Sequence, residues 1–288
     1  PNVEYYMIPK EIKIIGKCAF ENCNNLKKIE FQNVSQQNLY DSDGTNFERI
    51  IQIEESAFRN CKNLSSISLP EGIKEIPEYC FQNCRRLSRI DLPNSLTKIG
   101  DYAFENCIRL SEINFPNGIK EIGNHAFENC ERLLKIKPFY GLEIGDSAFK
   151  NCVNLVDIEM SNNNFNSSKN CLAPKALTKI GDYAFEGCIH LKNITLPEGI
   201  KKIGNHAFYD CYNLTSISLP NSLTEIDNSS FLMCTRLINI NLPNNLIKIG
   251  NRAFSSCYSL TSINLPSMLN CIGANAFSST GIKSISIP

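Results

Sequence analysis

Residues 99–107 read IGDYAFENC, and the chain repeats nearly the same phrase eleven times. A phenylalanine marks each copy, and most copies are 23 residues apart. These residues are Phe20, Phe58, Phe81, Phe104, Phe127, Phe149, Phe185, Phe208, Phe231, Phe254 and Phe277. A fixed period of this length is typical of a solenoid, in which each coil buries its apolar face by stacking on its neighbours. The sequence therefore predicts one continuous domain over residues 1–288, built from about eleven repeats of 23 residues.

The stretch LSEINFPNGIKEIGNHAF, residues 110–127, shows how one coil begins. Ile113 and Phe115 alternate with polar residues, which predicts a short strand with one buried face. Pro116 then ends the pairing, because proline cannot donate to a strand ladder. A second extended piece follows, with its isoleucines directed inward and its charged residues outward.

The second half of the coil predicts a helical turn. Asn124 stands where a helix N-cap would stand. Ala126, Phe127, Cys130 and Leu133 follow it at steps of one, three and three, which fits one buried turn of helix. The predicted fold class is therefore an α/β repeat. We expect a curved solenoid with a parallel sheet on the concave face and short helical turns on the wider, convex side.

The repeat, L-x-x-I-x-L-P followed by I-G-x-x-A-F-x-x-C, resembles the BspA-type leucine-rich repeat over residues 8–288. Proteins with such repeats are typically surface or secreted molecules of anaerobic bacteria and parasitic protists. They are implicated in adhesion to host cells and extracellular-matrix proteins. The resemblance implies a leucine-rich-repeat solenoid with an adhesive function, and it supplies no catalytic motif.

The charge balance excludes some partners. The chain has 29 basic and 29 acidic residues, so there is no basic excess to build a nucleic-acid-binding face. It has no apolar run near the roughly 18 residues that a membrane helix needs, so we expect no direct membrane insertion. The chain begins without Met and stops within a repeat, which indicates a fragment of a longer protein.

Most of the fourteen cysteines share one position of the repeat. Cysteines stacked on successive coils would have parallel side chains about 4.8 Å apart, whereas a disulfide needs Cβ atoms about 3.8 Å apart. Close C-x-x-C pairs of the kind that bind zinc are absent from the sequence. We therefore expect a column of buried free thiols and no metal. This column comprises Cys23, Cys61, Cys84, Cys107, Cys130, Cys152, Cys188, Cys211, Cys234 and Cys257.

Catalytic chemistry is not expected. The three histidines, His125, His190 and His206, occupy positions that cannot converge on one nucleophile and one acid. The sequence also contains no glycine-rich phosphate loop. The interpretation is a non-enzymatic chain with no catalytic residues and no cofactor.

Three irregularities of the repeat point to a binding edge. Insertions at residues 32–46 and 161–173 enter at the same point of the coil, which often marks a binding face. One coil is a residue short and carries Phe139 and Tyr140 at its corner. Together with Phe165 of the second insertion, these rings could form a hot spot. The alternatives are that the loops are tolerated polar excursions and that the rings cover the gap left by the deletion.

The outward face of the first strands is charged in its N-terminal half and small and polar in its C-terminal half. A surface of mixed charge can select a protein partner, although such a face can also be merely solvated. The candidate partner-binding residues on these strands are Arg89, Asp91, Glu112, Lys135, Lys137, Asp157 and Glu159. In a separate column, we expect Arg86, Arg109 and Arg132 to be neutralised by Glu105 and Glu128.

The leading hypothesis is a non-enzymatic adhesion module at the cell surface or secreted from the cell, which binds a host or matrix protein. The alternative is an intracellular scaffold for signalling or cytoskeletal partners. If the protein is secreted by a eukaryote, Asn33 and Asn166 in the insertions are the candidate glycosylation sites.

Overall fold

The computed structural model describes residues 3–32, 52–136, 143–158 and 179–285. Within these ranges the chain forms twenty short strands, all of them in parallel pairs. The strands are β1 (Tyr5–Ile8), β2 (Ile14–Ile15), β3 (Lys28–Phe31), β4 (Gln52–Ile53), β5 (Ser66–Ser68), β6 (Glu75–Ile76), β7 (Arg89–Asp91), β8 (Lys98–Ile99), β9 (Glu121–Ile122), β10 (Lys135–Ile136), β11 (Glu143–Ile144), β12 (Asp157–Ile158), β13 (Lys179–Ile180), β14 (Asn193–Thr195), β15 (Lys202–Ile203), β16 (Ser216–Ser218), β17 (Glu225–Ile226), β18 (Asn239–Ile240), β19 (Lys248–Ile249) and β20 (Cys271–Ile272).

Two sets of parallel strands run along the stack of coils. The first set contains β1-β3-β5-β7 and β10-β12-β14-β16-β18, and an isolated bridge joins Glu112 to Lys135 in β10. The second set contains β2-β4 and a nine-stranded sheet that runs in order from β6 to β20. Each coil pairs with the next in sequence, so the predicted solenoid of parallel strands is confirmed. The curvature of the stack and the concave position of the first set stay predictions.

The predicted helical turns are wrong, because the described residues contain no helix. The chain instead forms an arc of tight turns in each coil, with two left-handed residues four positions apart, such as Tyr102 (φ 56°) and Asn106 (φ 60°). The amide of Glu105 donates to the carbonyl of Tyr102 at 3.2 Å. The amide of Phe104 donates instead to Ala126 of the next coil, at 2.7 Å. Left-handed residues interrupt a helix. The apolar residues spaced one, three and three positions apart therefore lie in an arc of turns and not in a helix.

The predicted N-caps have a different role. The amide of Asn124 donates to Asp101 Oδ1 of the preceding coil at 2.7 Å, and Asn124 Oδ1 accepts from the amide of Asp146 in the next coil at 2.8 Å. These side chains therefore join coils and cap no helix. The coils approach closely here, since a Cβ added to Gly123 would lie 2.7 Å from the backbone of Gly100. Only glycine fits at that contact.

The core is a column of stacked rings. Consecutive phenylalanines from Phe20 to Phe277 have ring centroids 5.0–5.5 Å apart and planes within 11° of each other. The rings from Phe58 to Phe254 are fully buried. Because each ring packs against the rings above and below it, the core is continuous through the coils.

The cysteine column lies beside these rings. All described cysteines are free, and every member of the column is buried except Cys23, which is half-buried. Each buried thiol of the column donates to the carbonyl of a phenylalanine in the preceding coil, as Cys107 Sγ does to Phe81 at 3.2 Å. Burial raises the pKa of Cys61 and of Cys257 to about 12. The buried thiols of this column are therefore protonated and packed as small apolar groups.

The predicted common edge of the two insertions stays a prediction. Residues 33–46 of the first insertion and all of the second lie outside the described ranges, so the common edge of the two loops is untested. Where the chain is described, it has no helix that could cross a membrane.

Candidate protein-binding surface

The candidate surface lies on the outward face of the first set of strands. In β7, Arg89 pairs in register with Ser66 of β5. In the following coils, Glu112 is bridged to Lys135, and Lys135 pairs in register with Asp157. We call Arg89, Glu112, Lys135 and Asp157 the charged strip. The strip alternates in sign, with one charge per coil, and the parallel pairing fixes the backbone positions of Glu112, Lys135 and Asp157.

Arg89 at the start of the strip forms a local ion pair. Its Nε lies 3.0 Å from Asp91 Oδ1, and the side chains are 75% and 49% exposed. Ser68 Oγ also donates to Asp91 Oδ2 at 2.6 Å. The Ser68 hydrogen bond, together with the Arg89 guanidinium, lowers the pKa of Asp91. An ion pair this exposed contributes little to stability, so both groups can rearrange for a partner.

The other members of the strip are not paired. Glu112 and Lys135 are exposed and Asp157 is half-buried. None of the three makes an ion pair with a described residue, even though they are neighbours in the ladder. The strip thus presents three charges that the described part of the chain leaves uncompensated by contact.

The same column continues beyond Asp157 with polar residues. Asp157 pairs in register with Asn193, which pairs with Ser216, which pairs with Asn239. We call Asn193, Ser216 and Asn239 the polar strip. Ser216 Oγ donates to Asn193 Oδ1 at 2.7 Å, so the members of this strip partly satisfy one another.

The remaining predicted site residues cannot be placed, because they lie outside the described ranges. They are the corner and insertion aromatics, two strand residues and the two glycosylation candidates. These are Phe139, Tyr140, Phe165, Lys137, Glu159, Asn33 and Asn166. The structure therefore brings together only the charged-strip residues and Asp91.

Glu105 and Glu128, which were expected to neutralise the arginine column, form no ion pair with it. Glu105 accepts from Gln82 and Asn106, and Glu128 is hydrogen-bonded to His125. No carboxylate of the described residues forms an ion pair with Arg86, Arg109 or Arg132. The repeat identified the arginine column, but it could not show which neighbours would form hydrogen bonds with Glu105 and Glu128.

The described histidines engage in separate local contacts. His125 is bound to Glu128, His190 Nδ1 lies 2.7 Å from the carbonyl of Val153, and His206 stacks on Tyr183. No group of three or more histidine, cysteine, aspartate or glutamate residues within the described ranges could hold a metal ion.

Known structures resemble this chain over most of its length. A leucine-rich cell-surface protein from Faecalibacterium prausnitzii is 28% identical, with 98% of this chain and 78% of that one covered at a TM-score of 0.51. The pneumococcal vaccine antigen PcpA is 23% identical, with coverage of 98% and 67% and a TM-score of 0.54, which shows the fold alone. A leucine-rich repeat protein from Bacteroides ovatus is 28% identical, with coverage of 96% and 84% and a TM-score of 0.44.

A comparison with curated proteins gave no significant match. The family description "BspA type Leucine rich repeat region" matches residues 2–50, 51–174 and 160–283, with six copies. These matches span nearly the whole chain and agree with the parallel ladders and the recurring IGDYAFENC phrase. The chain belongs to the BspA-type leucine-rich repeat family.

Proposed function

We propose that this chain is the protein-binding part of a non-enzymatic adhesin, displayed at the cell surface or secreted, and that the charged strip contacts a host or matrix protein. One observation carries the proposal. Glu112, Lys135 and Asp157 lie side by side in one ladder, yet none forms an ion pair with a described residue.

Such an arrangement suits recognition better than stability. Complementary charges across an interface steer the encounter and fix its register, and a pattern of alternating sign discriminates between partners. The backbone of the strip is held by the sheet, so ordering these side chains on a partner costs less than ordering a mobile loop. The similar protein from Faecalibacterium prausnitzii is described as a cell-surface protein, which supports the proposed location.

The experiment measures binding of the chain to a panel of immobilised extracellular-matrix and serum proteins. We expect at least one partner, and we expect Lys135→Glu to weaken its binding by about 1–3 kcal/mol. This change would place three acidic residues next to one another and remove the alternation of sign. The matched control is Ser216→Glu, which adds the same side chain to the same column in the polar strip.

Circular dichroism melting curves would check that both variants fold. The proposed site would be wrong if Lys135→Glu bound normally while Ser216→Glu abolished binding, because the polar strip would then be the contact. If no protein of the panel bound at all, the adhesin proposal itself would fail.

A further inference from the structure

The arginine column borders an open groove of about 400 Å³. Its cationic side is formed by Arg86, Arg109 and Arg132, which occupy the same position in three consecutive coils. It is also lined by Ser65, Ser88 and Ser111, which share the position two residues further along the repeat. We call this the arginine groove. It is distinct from the charged strip, because it shares no residue with it.

The geometry of the groove is repetitive. Successive coils of parallel strands are about 4.8 Å apart, so the backbone positions of the three arginines recur at that interval. Small serine side chains beside them leave the space open. Ser65 Oγ donates to the carbonyl of Lys27 at 3.0 Å and Ser88 Oγ to that of Ser65 at 3.1 Å. The hydroxyl of Ser111 has no hydrogen-bond partner within the described residues, so it can bind a ligand.

The groove presents exposed positive charge. Its three arginines are exposed and pair with no described carboxylate, since Glu105 and Glu128 are engaged elsewhere. Lys27 at one end is the exception, because its Nζ lies 2.8 Å from Glu4. Three like charges in line repel one another, and a ligand with regularly spaced anions would relieve that repulsion. The groove therefore fits a linear polyanion.

The lining decides between the classes of polyanion. The residues lining the groove are all basic, hydroxyl or amide residues, with no aromatic ring among them. A single-stranded nucleic acid binds largely by stacking its bases on aromatic rings. A sulfated sugar chain needs no aromatic ring, because guanidinium forks bind its anions and hydroxyl groups bind its sugar oxygens.

We propose that the arginine groove binds a linear sulfated polysaccharide, with Arg86, Arg109 and Arg132 each contacting one anionic group of the chain. This goes beyond the proposed protein-binding function, since it assigns a different surface to a different class of ligand. Binding of this type is exposed and electrostatic, so it weakens as salt rises.

The test is calorimetric titration of the chain with a heparin-derived oligosaccharide at two salt concentrations. We expect each of Arg86→Ala, Arg109→Ala and Arg132→Ala to weaken binding about three- to tenfold, as for an exposed charge-assisted contact. Each should also lower the slope of log K against log salt by about one. The matched control is Arg236→Ala, which removes the exposed arginine at the same position of a distant coil and should change binding less than about twofold.

The variants are exposed surface changes, and unchanged melting curves would confirm that they fold. Binding of the triple variant at the wild-type level would overturn the proposal, as would an equal loss in Arg236→Ala. Tighter binding of single-stranded DNA or polyglutamate than of heparin would also overturn it, because the groove would then not prefer a sulfated sugar. Weaker binding of desulfated heparin would support it.

Discussion

The coils from Phe58 to Phe149 and those from Phe185 to Phe277 share the same buried columns, but their outer turns differ. In the first group, side-chain amides join Asn60, Asn83, Asn106, Asn129 and Asn151 into a ladder with each N···O distance 3.0 Å. The second group carries at that position Gly187, Asp210, Met233, Ser256 and Ser279. The backbone is the same in both, with φ of 60° at Asn106 and 62° at Met233. Stacking of coils therefore imposes the left-handed turn, and the asparagines only strengthen it.

The surfaces follow the same division. The charged strip and the arginine groove lie on coils up to Asp157, whereas the polar strip lies on the coils that follow. The two groups of coils thus show that this core specifies the fold while leaving the outer columns free to differ in chemistry.

Alkaline pH should destabilise both groups of coils together, and this is the largest loss of stability that we expect. Burial raises the pKa of Cys61, in the first group, and of Cys257, in the second, to about 12. The unfolded chain loses thiol protons above a pKa of about 8.5, so stability is full below that pH and falls as the pH rises toward 12. At pH 9.5 each such thiol costs about 1.4 kcal/mol, and the buried thiols together cost on the order of 10 kcal/mol.

Circular dichroism melting between pH 7.5 and 9.5, with reductant present, would measure this loss. We expect one transition that moves to lower temperature and recovers when the pH is returned to 7.5. An unchanged melting temperature, or two separate transitions for the two groups, would contradict a shared thiol column.

Removal of one stacked ring should destabilise the two groups equally. Phe104 and Phe231 are both fully buried between stacked neighbours. We expect Phe104→Ala and Phe231→Ala each to lower the free energy of unfolding by about 3–5 kcal/mol, as measured by urea titration. Tyr258→Ala is the control, because that ring is 59% exposed and its loss should cost less than about 0.5 kcal/mol. A mild effect in only one of the two phenylalanine variants would show that the cores differ.

Loss of one side chain of the asparagine ladder should have the smallest effect on stability, but it should separate the two groups of coils most clearly. Asn106 bonds to both Asn83 and Asn129, whereas the Ser256 side chain makes no hydrogen bond with a described residue. Both residues have φ near 60°, which asparagine tolerates better than serine or alanine, so the cost of Asn106→Ala combines lost hydrogen bonds with added backbone strain. We expect Asn106→Ala to cost about 1–2 kcal/mol and Ser256→Ala about 0.5 kcal/mol or less, by urea titration. Equal costs would mean that the ladder adds nothing beyond backbone geometry.

Much of the fold could be predicted from the repeat, because stacking places each repeat position in a column. The burial of Phe104 and Cys107 followed directly from that argument. The helical turn could not be predicted correctly, because apolar steps of one, three and three fit both a helix and an arc of turns. The recurring asparagine at the position of Asn106 was the available signal, since asparagine is the side chain that best tolerates a left-handed backbone.

The candidate sites were less predictable for a different reason. The repeat shows which residues are neighbours, and it correctly predicts that Glu112, Lys135 and Asp157 lie together. The repeat does not show which of several nearby groups a long side chain will bond to. Glu105 lies near several donors and bonds to Gln82 and Asn106, so the arginines of the groove remain unpaired.

The hydrogen-bonded ladders between coils have a mechanical consequence. Neighbouring coils are joined by parallel strands and by bonds between their arcs of turns, and the hydrogen bonds between coils run along the stack. A pulling force applied between the two ends would therefore peel coils away from an end, one interface at a time. A released repeat of 23 residues supplies roughly 80 Å of slack, at about 3.5 Å per extended residue. Under fluid shear the chain would lengthen in discrete steps and dissipate the load while the remaining coils kept their shape.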